Sequence, residues 1–363
     1  MRVLFCGGGT AGHITPALAL AEEFERRYTD AEIAFVGREN GDENKLINLE
    51  KYKLYKIYAR GFSRNLSVNN LKTLKTFFDA KRDAKKILSD FNPDVVIGTG
   101  GYVSAPVITA AAKLGIFTLI HESNAALGFT TRMLAGKCDL LLLGADIKTR
   151  FKNAKFVGNP TLNKFGALSK SSARRALGIP MDKKVILSVG GSIGAAKLNE
   201  AVIEFMKSFS LKNTDVYHIH GSGKRYYDEL RTSYPELCRE NESVKILPFI
   251  DNMAFYLSAA DILICRCGAM TLAEAVRAGC PTVMIPSPNV TGDHQRKNAI
   301  FYKAAGTGIV LEESDLTPLT LESTVKRMLK DKESLRKMSD CAKNFYKEDP
   351  KKQIVDLIES RLA

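Results

Sequence analysis

The chain has 363 residues, 45% of them hydrophobic and 26% charged, with a formal net charge of +13. That length supplies two domains with full cores, and no apolar stretch reaches membrane-spanning length; the nearest, 105–120, is broken by Lys113 and Gly115. The charge points to an anionic partner, whether nucleic acid, anionic lipid or a phosphorylated substrate, and by itself does not choose among them.

The first predicted element is a strand over Val3, Leu4 and Phe5. It stops at Gly7-Gly8-Gly9, passes Thr10-Ala11-Gly12-His13 and restarts after Pro16 as a helix. Glycines let backbone N–H groups approach a phosphate, and the unpaired amides and dipole of a helix start favour negative charge there. The spacing Gly7-x-Gly9-x-x-Gly12 also fits the dinucleotide fingerprint, which wants an acid about 20 residues on. Here the second strand, 33–36, runs into Gly37-Arg38-Glu39, so that reading is set aside. A neutral imidazole at His13 is a credible general base; the alternative is a loop histidine satisfied by a backbone group. Glu22, Glu23 and Glu25 follow directly on the helix, so the N-terminus does not read as a signal peptide.

A strand over 54–59 precedes a helix over about 70–88 that is apolar on one face and rich in lysine on the other. At its start Phe62, Leu66, Leu71, Leu74 and Phe78 lie among Arg60, Arg64, Lys72 and Lys75, a pattern suited to an anionic bilayer surface. The alternative is a packed helix with a solvated lysine face. A strand over 94–97 then runs into Gly98-Thr99-Gly100-Gly101-Tyr102, with a helix over 105–114 behind it. The strand at 116–120 delivers His121-Glu122-Ser123-Asn124, and another strand spans 140–143. Gly158-Asn159-Pro160 marks a domain boundary.

The second half repeats the plan. A strand over 185–189 meets Gly190-Gly191-Ser192-Ile193-Gly194 and a helix to about 205. A strand over 261–264 meets Arg266-Cys267-Gly268-Ala269-Met270, a helix over 271–278 and a strand over 281–285. Two doubly wound Rossmann-like halves follow, the binding ends of both sheets expected to face one cleft. Ser192 adds a hydroxyl suited to a diphosphate. Glu274, one turn into its helix, either accepts from two ribose hydroxyls or is an ordinary helix-start charge. His218 and His220 alternate along a strand and read as structural. Asp293, His294 and Gln295 offer donors and acceptors fit for sugar hydroxyls. The seven cysteines form no CxxC pair and no zinc-like set, as in reduced cytosolic proteins. With no Asp-x-Asp and no tight His/carboxylate set, helix dipoles and backbone amides rather than a metal are expected to neutralise a diphosphate leaving group. Helices over 319–329, 332–345 and beyond Pro350 close the chain. The residues thus describe a two-domain transferase that uses a nucleotide diphosphate sugar.

Gly7 to His13, Gly100 to Pro106, His121-Glu122-Ser123-Asn124, Val157 to Pro160, Gly190-Gly191-Ser192, Phe249 to Met253, Gly268 to Thr271 with Glu274, and Asp293-His294-Gln295 stand in the order found in the MurG family of peptidoglycan N-acetylglucosaminyltransferases. The chain resembles that family from about residue 1 to 299. The resemblance implies an α/β GT-B fold with an acceptor- and membrane-binding domain over 1–160, a donor domain over 161–340, and helices over 341–363 packing back on the first domain. It implies inverting, metal-independent transfer of N-acetylglucosamine from UDP-GlcNAc to the 4-hydroxyl of undecaprenyl-diphospho-muramoylpentapeptide (lipid I), with no cofactor. By the same resemblance Ile250 binds uracil through its backbone, Glu274 the ribose, Ser192 the donor phosphate, and Asn124 and Gln295 the sugar; Ala269, Met270 and Thr271 line the donor loop, with Thr10 and Gly12 also facing the donor. Gly9, Thr10, Ala11, Gly12 and His13 with Gly100, Gly101, Tyr102 and Ser104 hold the lipid-linked diphosphate, His13 serving as base. The implied partners are anionic membrane lipid and other cell-wall synthesis proteins, not nucleic acid, at the cytoplasmic face of the bacterial plasma membrane. The chain departs from the family pattern at Leu162, where arginine is usual and Lys164 is the nearest substitute, at Ile193 for glutamine and at Cys267 for serine. A related transferase acting on diacylglycerol or a secondary metabolite would share the fold and much of the donor loop without both acceptor loops. A nucleotide-sugar sensor would keep Glu274 and Ser192 without His13.

Overall fold

The computed structural model describes residues 1–39, 41, 46–59, 68–191, 193–238 and 243–362, with the backbone alone at 68–72 and 74. They form two compact units, Met1–Leu162 with Glu348–Ala363, and Asn163–Lys347.

The first unit is a parallel sheet of seven strands: β1 (Arg2–Gly7), β2 (Glu32–Arg38), β3 (Lys53–Ile57), β4 (Val95–Gly100), β5 (Phe117–Glu122), β6 (Leu140–Leu143) and β7 (Ala154–Phe156). Their order is β3-β2-β1-β4-β5-β6-β7. Central strands covered on both faces read as unbroken apolar runs, as Val3-Leu4-Phe5-Cys6 and Leu140 to Leu143 do. Val3 and Phe5 pack on the helix Ala11–Arg27, while Leu4 and Cys6 face the helices Val68–Phe91 and Ser104–Lys113. The short strand β7 and the helix Phe129–Leu134 were not expected from periodicity, being too short to show one.

The second unit has six parallel strands: β8 (Lys184–Val189), β9 (Val216–Gly221), β10 (Val244–Leu247), β11 (Ile262–Arg266), β12 (Thr282–Ile285) and β13 (Gly308–Val310). Their order, β10-β9-β8-β11-β12-β13, repeats the pattern of the first sheet. His218 and His220 project from β9 to the same side and share the Ser188 hydroxyl, at 3.0 Å and 2.8 Å; Ser210 meets the other nitrogen of His218 at 2.9 Å. Burial holds both rings neutral, pushing His220 down to about 4, so they are packed parts of the core.

In each sheet the chain reverses direction of travel once, between β1 and β4 and between β8 and β11. The loops leaving the carboxyl ends of those neighbours diverge, and the crevice between them is where ligands bind in open α/β sheets. All four glycine loops seen in the sequence lie at these crevices.

All seven cysteines are free thiols; burial pushes Cys138 and Cys280 up to about 12. No described helix is long and apolar enough to cross a membrane. Of the residues assigned to a bilayer surface, Phe62 and Leu66 lie outside the described residues, as do the side chains of Leu71, Lys72 and Leu74. Phe78 is 60% exposed, and Lys75 is exposed beside it.

The last helix, Pro350–Leu362, belongs to the first unit. It lays Ile354, Val355 and Ile358 into the core beside Phe5, Leu20 and Phe24. Arg27 donates to Asp356 and Glu359, and Tyr28 donates to Glu359 at 2.7 Å. Since Ile354 is fully buried, Ile354→Ala should cost about 2 to 4 kcal/mol, read as a lower urea midpoint with unchanged slope.

Candidate active site

In the first unit, β1 ends in a loop whose Gly9 has φ +90°, and Thr10 precedes the helix without capping it by its side chain. The His13 amide donates to the Thr10 carbonyl at 3.1 Å, which leaves the amides of Ala11 and Gly12 for a ligand. His13 sits in that turn, partly buried. Its Nδ1 lies 3.0 Å from the Gly8 carbonyl and 3.4 Å from Thr10 Oγ1. A carbonyl only accepts, so Nδ1 carries the hydrogen and the neutral ring keeps its lone pair on Nε2.

The β4 loop comes up against this ring. Gly100 and Gly101 have φ +110° and +80°. A methyl at Gly100 would stand 2.7 Å from His13 Cδ2, and one at Gly101 would stand 2.1 Å from the Gly8 carbonyl oxygen. Only glycine accepts both the backbone conformation and the approach. Register slips by one residue here, Cys6 pairing with Gly98 and Gly7 with Gly100, which turns the two glycines toward β1. Ser104 is fully buried beneath the loop, donating to the Gly100 carbonyl at 2.8 Å or that of Cys6 at 2.9 Å and accepting from the Gly100 amide at 3.2 Å. Tyr102 is half exposed at the rim.

The β5 end carries an ordered polar knot. The Glu122 carboxylate accepts from the Asn124 amide at 3.1 Å and side chain at 3.0 Å, from Gly128 at 2.8 Å and from Thr131 at 2.6 Å. One amide hydrogen of Asn124 is thereby fixed inward, which orients its side chain. His121 donates from Nε2 to the Gly158 carbonyl at 2.9 Å, and burial lowers its basicity.

In the second unit a cavity of about 470 Å³ opens at the β8/β11 crevice, lined among others by Gly190, Gly191, Gly194, Gly268, Thr271 and Gln295. Gly191 and Gly194 have φ +92° and +85°. The helix Ala269–Arg277 starts at Gly268 with no side-chain cap, so its first amides face this space while the side chains of Ala269 and Met270 are buried. Gln295 accepts through Oε1 from the amides of Cys267, at 3.2 Å, and Ser287, at 2.9 Å. Two backbone donors on one atom identify it as oxygen, which leaves the Gln295 NH₂ to donate into the cavity. Asp293 lines a neighbouring cavity instead, and His294 donates to the Thr291 carbonyl at 2.8 Å. Ile250 lies apart from the cavity lining, buried against Gly221 at the end of β9. Ser192 lies outside the described residues.

Sequence reasoning assigned no role to Lys197, Arg266 and Glu313, which also line the cavity. Arg266, at the carboxyl end of β11, had a positional signal. Glu313 comes from the segment after β13 and had none.

The Glu274 side chain stands one turn into its helix without a hydrogen-bond partner among the described residues. Burial pushes its carboxyl up to about 8, against a smaller opposing pull from Lys164. Lys164, the nearest lysine to the position where arginine is usual, therefore stands close enough to act on this group. With the folded value raised from 4.5 to about 8, the stability from the protonated carboxyl is present below pH 4.5 and lost as pH rises through 8. Glu274→Gln should therefore melt higher than the wild type at pH 9, a gain that shrinks toward pH 5 in thermal scans.

Family models for the N-terminal and C-terminal domains of glycosyltransferase family 28 match residues 3–142 and 185–357. A relative from Thermoanaerobacter sp. (strain X514) is 41% identical over 99% of this chain and 100% of its own length, and one from Lactococcus lactis subsp. lactis is 36% identical over 99% of each. Both are named UDP-N-acetylglucosamine–N-acetylmuramyl-(pentapeptide) pyrophosphoryl-undecaprenol N-acetylglucosamine transferase. Among solved structures, Acinetobacter baumannii MurG matches at TM-score 0.76 and 28% identity over 99% of each chain. The glycosyltransferase of kitacinnamycin matches at TM-score 0.73 and 16% identity over 100% of this chain and 99% of its own, a likeness of fold.

Proposed function

The chain belongs to glycosyltransferase family 28, and from that premise we infer that it transfers N-acetylglucosamine from UDP-GlcNAc to undecaprenyl-diphospho-muramoylpentapeptide, giving lipid II. It is a GT-B glycosyltransferase of peptidoglycan synthesis. The observation that carries the residue assignments is the seating of His13 against Gly100 and Gly101, with its Nε2 lone pair free of the hydrogen bond that Nδ1 makes to Gly8.

His13 Nε2 takes the proton of the acceptor 4-hydroxyl as that oxygen attacks the anomeric carbon. The new glycosidic bond forms as the bond to the UDP oxygen breaks, and the anomeric configuration inverts. The residues Gly9 to His13, through the amides of Ala11 and Gly12, and the Gly100–Gly101 turn hold the acceptor diphosphate, and Ser104 acts through Gly100 by fixing the turn. Asn124, oriented by Glu122, contacts the donor sugar, as does the NH₂ of Gln295. The Ile250 backbone takes uracil and Glu274 the ribose hydroxyls, while Thr271 and the amides at 269–271 face the diphosphate together with Ser192. Dipole and amides of the helix Ala269–Arg277 stabilise the charge on departing UDP, so the reaction needs neither metal nor cofactor.

Transfer to a short-chain lipid I analogue, measured with EDTA present, tests this reading. His13→Ala should lose about 10²- to 10⁴-fold in kcat with unchanged UDP affinity. Glu274→Ala should weaken UDP binding and raise KM for the donor. Equal turnover of His13→Ala and wild type would remove His13 as base.

The first unit docks on anionic lipid at the cytoplasmic face of the bacterial membrane, where other cell-wall synthesis proteins meet it. The supporting observation is a cluster of like charges beside the exposed Phe78 and Leu114: Lys81 loses basicity through burial and through Lys113, Lys85 and Lys137. Anionic lipid relieves that repulsion. Binding to phosphatidylglycerol vesicles should exceed that to phosphatidylcholine and fall steeply between about 0.1 and 0.5 M salt. Lys85→Glu with Lys137→Glu should lower it further in a sedimentation assay.

A further inference from the structure

The donor cavity contains a carboxylate that the reaction as described does not use. Arg266, 11% exposed, pairs through Nη2 with Oε2 of Glu313, 14% exposed. Its Nη1 also donates to the Ile285 carbonyl at 3.3 Å. Lys197, in the first turn of the helix Ala196–Phe205, donates to the Glu313 backbone carbonyl at 2.7 Å. All three residues line the 470 Å³ cavity together with Gly190, Gly191 and Gly268. Glu313 and Lys197 also line the adjoining cavity of about 340 Å³, so Glu313 stands in the wall shared by both.

Two uncapped helix starts and a run of glycines make this cavity an anion site. An acid at its wall repels the same anion, and it occupies the Arg266 guanidinium, a fork that can grip a phosphate bidentately. A permanent structural bridge has no reason to sit there. A counterion that yields to ligand has one: it keeps a partly buried guanidinium paired when no ligand is present and limits how tightly a diphosphate is held once the sugar has left.

We propose that the Glu313 carboxylate is a competing counterion for Arg266, displaced when a diphosphate enters the cavity and re-forming its pair to expel the nucleoside diphosphate product. Glu313 is a positioning residue in this scheme, acting through Arg266. The inference rests on the donor-site reading above, and its test separates the two by using UDP and inorganic pyrophosphate as independent probes of the intact protein.

Titration calorimetry of wild type, Glu313→Gln, Arg266→Gln and the double variant reads it directly. Glu313→Gln should bind both UDP and pyrophosphate about tenfold more tightly than wild type, and should release UDP more slowly. Arg266→Gln should bind both more weakly, and in the Arg266→Gln background Glu313→Gln should bring at most a small gain, since its main beneficiary is gone. A purely structural ion pair predicts the opposite sign: Glu313→Gln would lower the melting temperature and leave ligand affinity equal or weaker. Affinity for pyrophosphate unchanged or weakened in Glu313→Gln overturns the proposal. Failure of the wild type to bind UDP, with pyrophosphate still tightened by Glu313→Gln, overturns the donor assignment and leaves the counterion role standing.

Discussion

The reversal of winding at the centre of each sheet is the constraint from which the chemistry of this chain follows. A parallel sheet buries its strands on both faces, so the strand ends are the places where backbone amides reach a ligand. At β1/β4 and β8/β11 the connecting loops part, and helix starts without side-chain caps stand beside the gap. Glycine is required there for steric reasons. At Gly100 and Gly101 the space that a side chain would take is filled by His13 and the Gly8 carbonyl.

Precision at these crevices comes from polar groups that are themselves tied to the protein. Ser104 fixes the Gly100 turn from below, Glu122 orients Asn124, and Gln295 ties the ends of β11 and β12 while presenting its NH₂. Each is anchored by backbone groups or a buried carboxylate, so each side chain has one dominant orientation. Rigid anchoring of this kind lowers the ordering cost of binding.

Other titratable groups at the crevices stand partly out of water. Glu274 is a carboxyl placed where burial disfavours its charge, and Arg266 and Glu313 are charges drawn into a cavity wall. Desolvated charge is tolerated at a site because a ligand later satisfies it. The paired neutral histidines on β9 show the contrasting case, in which serine hydroxyls meet buried rings inside the core.

Strand, glycine loop and helix were legible in the sequence because each carries a local signature: an apolar run from Val3 to Cys6, an interruption by glycine, and apolar spacing resuming after Pro16. The echo around Gly190 and Gly268 was legible for the same reason, and the order of the motifs identified the family. Short elements such as β7 left no periodic trace. Local pattern reports whether an element is buried, not what it is buried against. Only the tertiary structure sets Gly100 against His13, brings Glu313 to Arg266 and lays Ile354 beside Phe5, because each of these contacts joins segments distant in the chain.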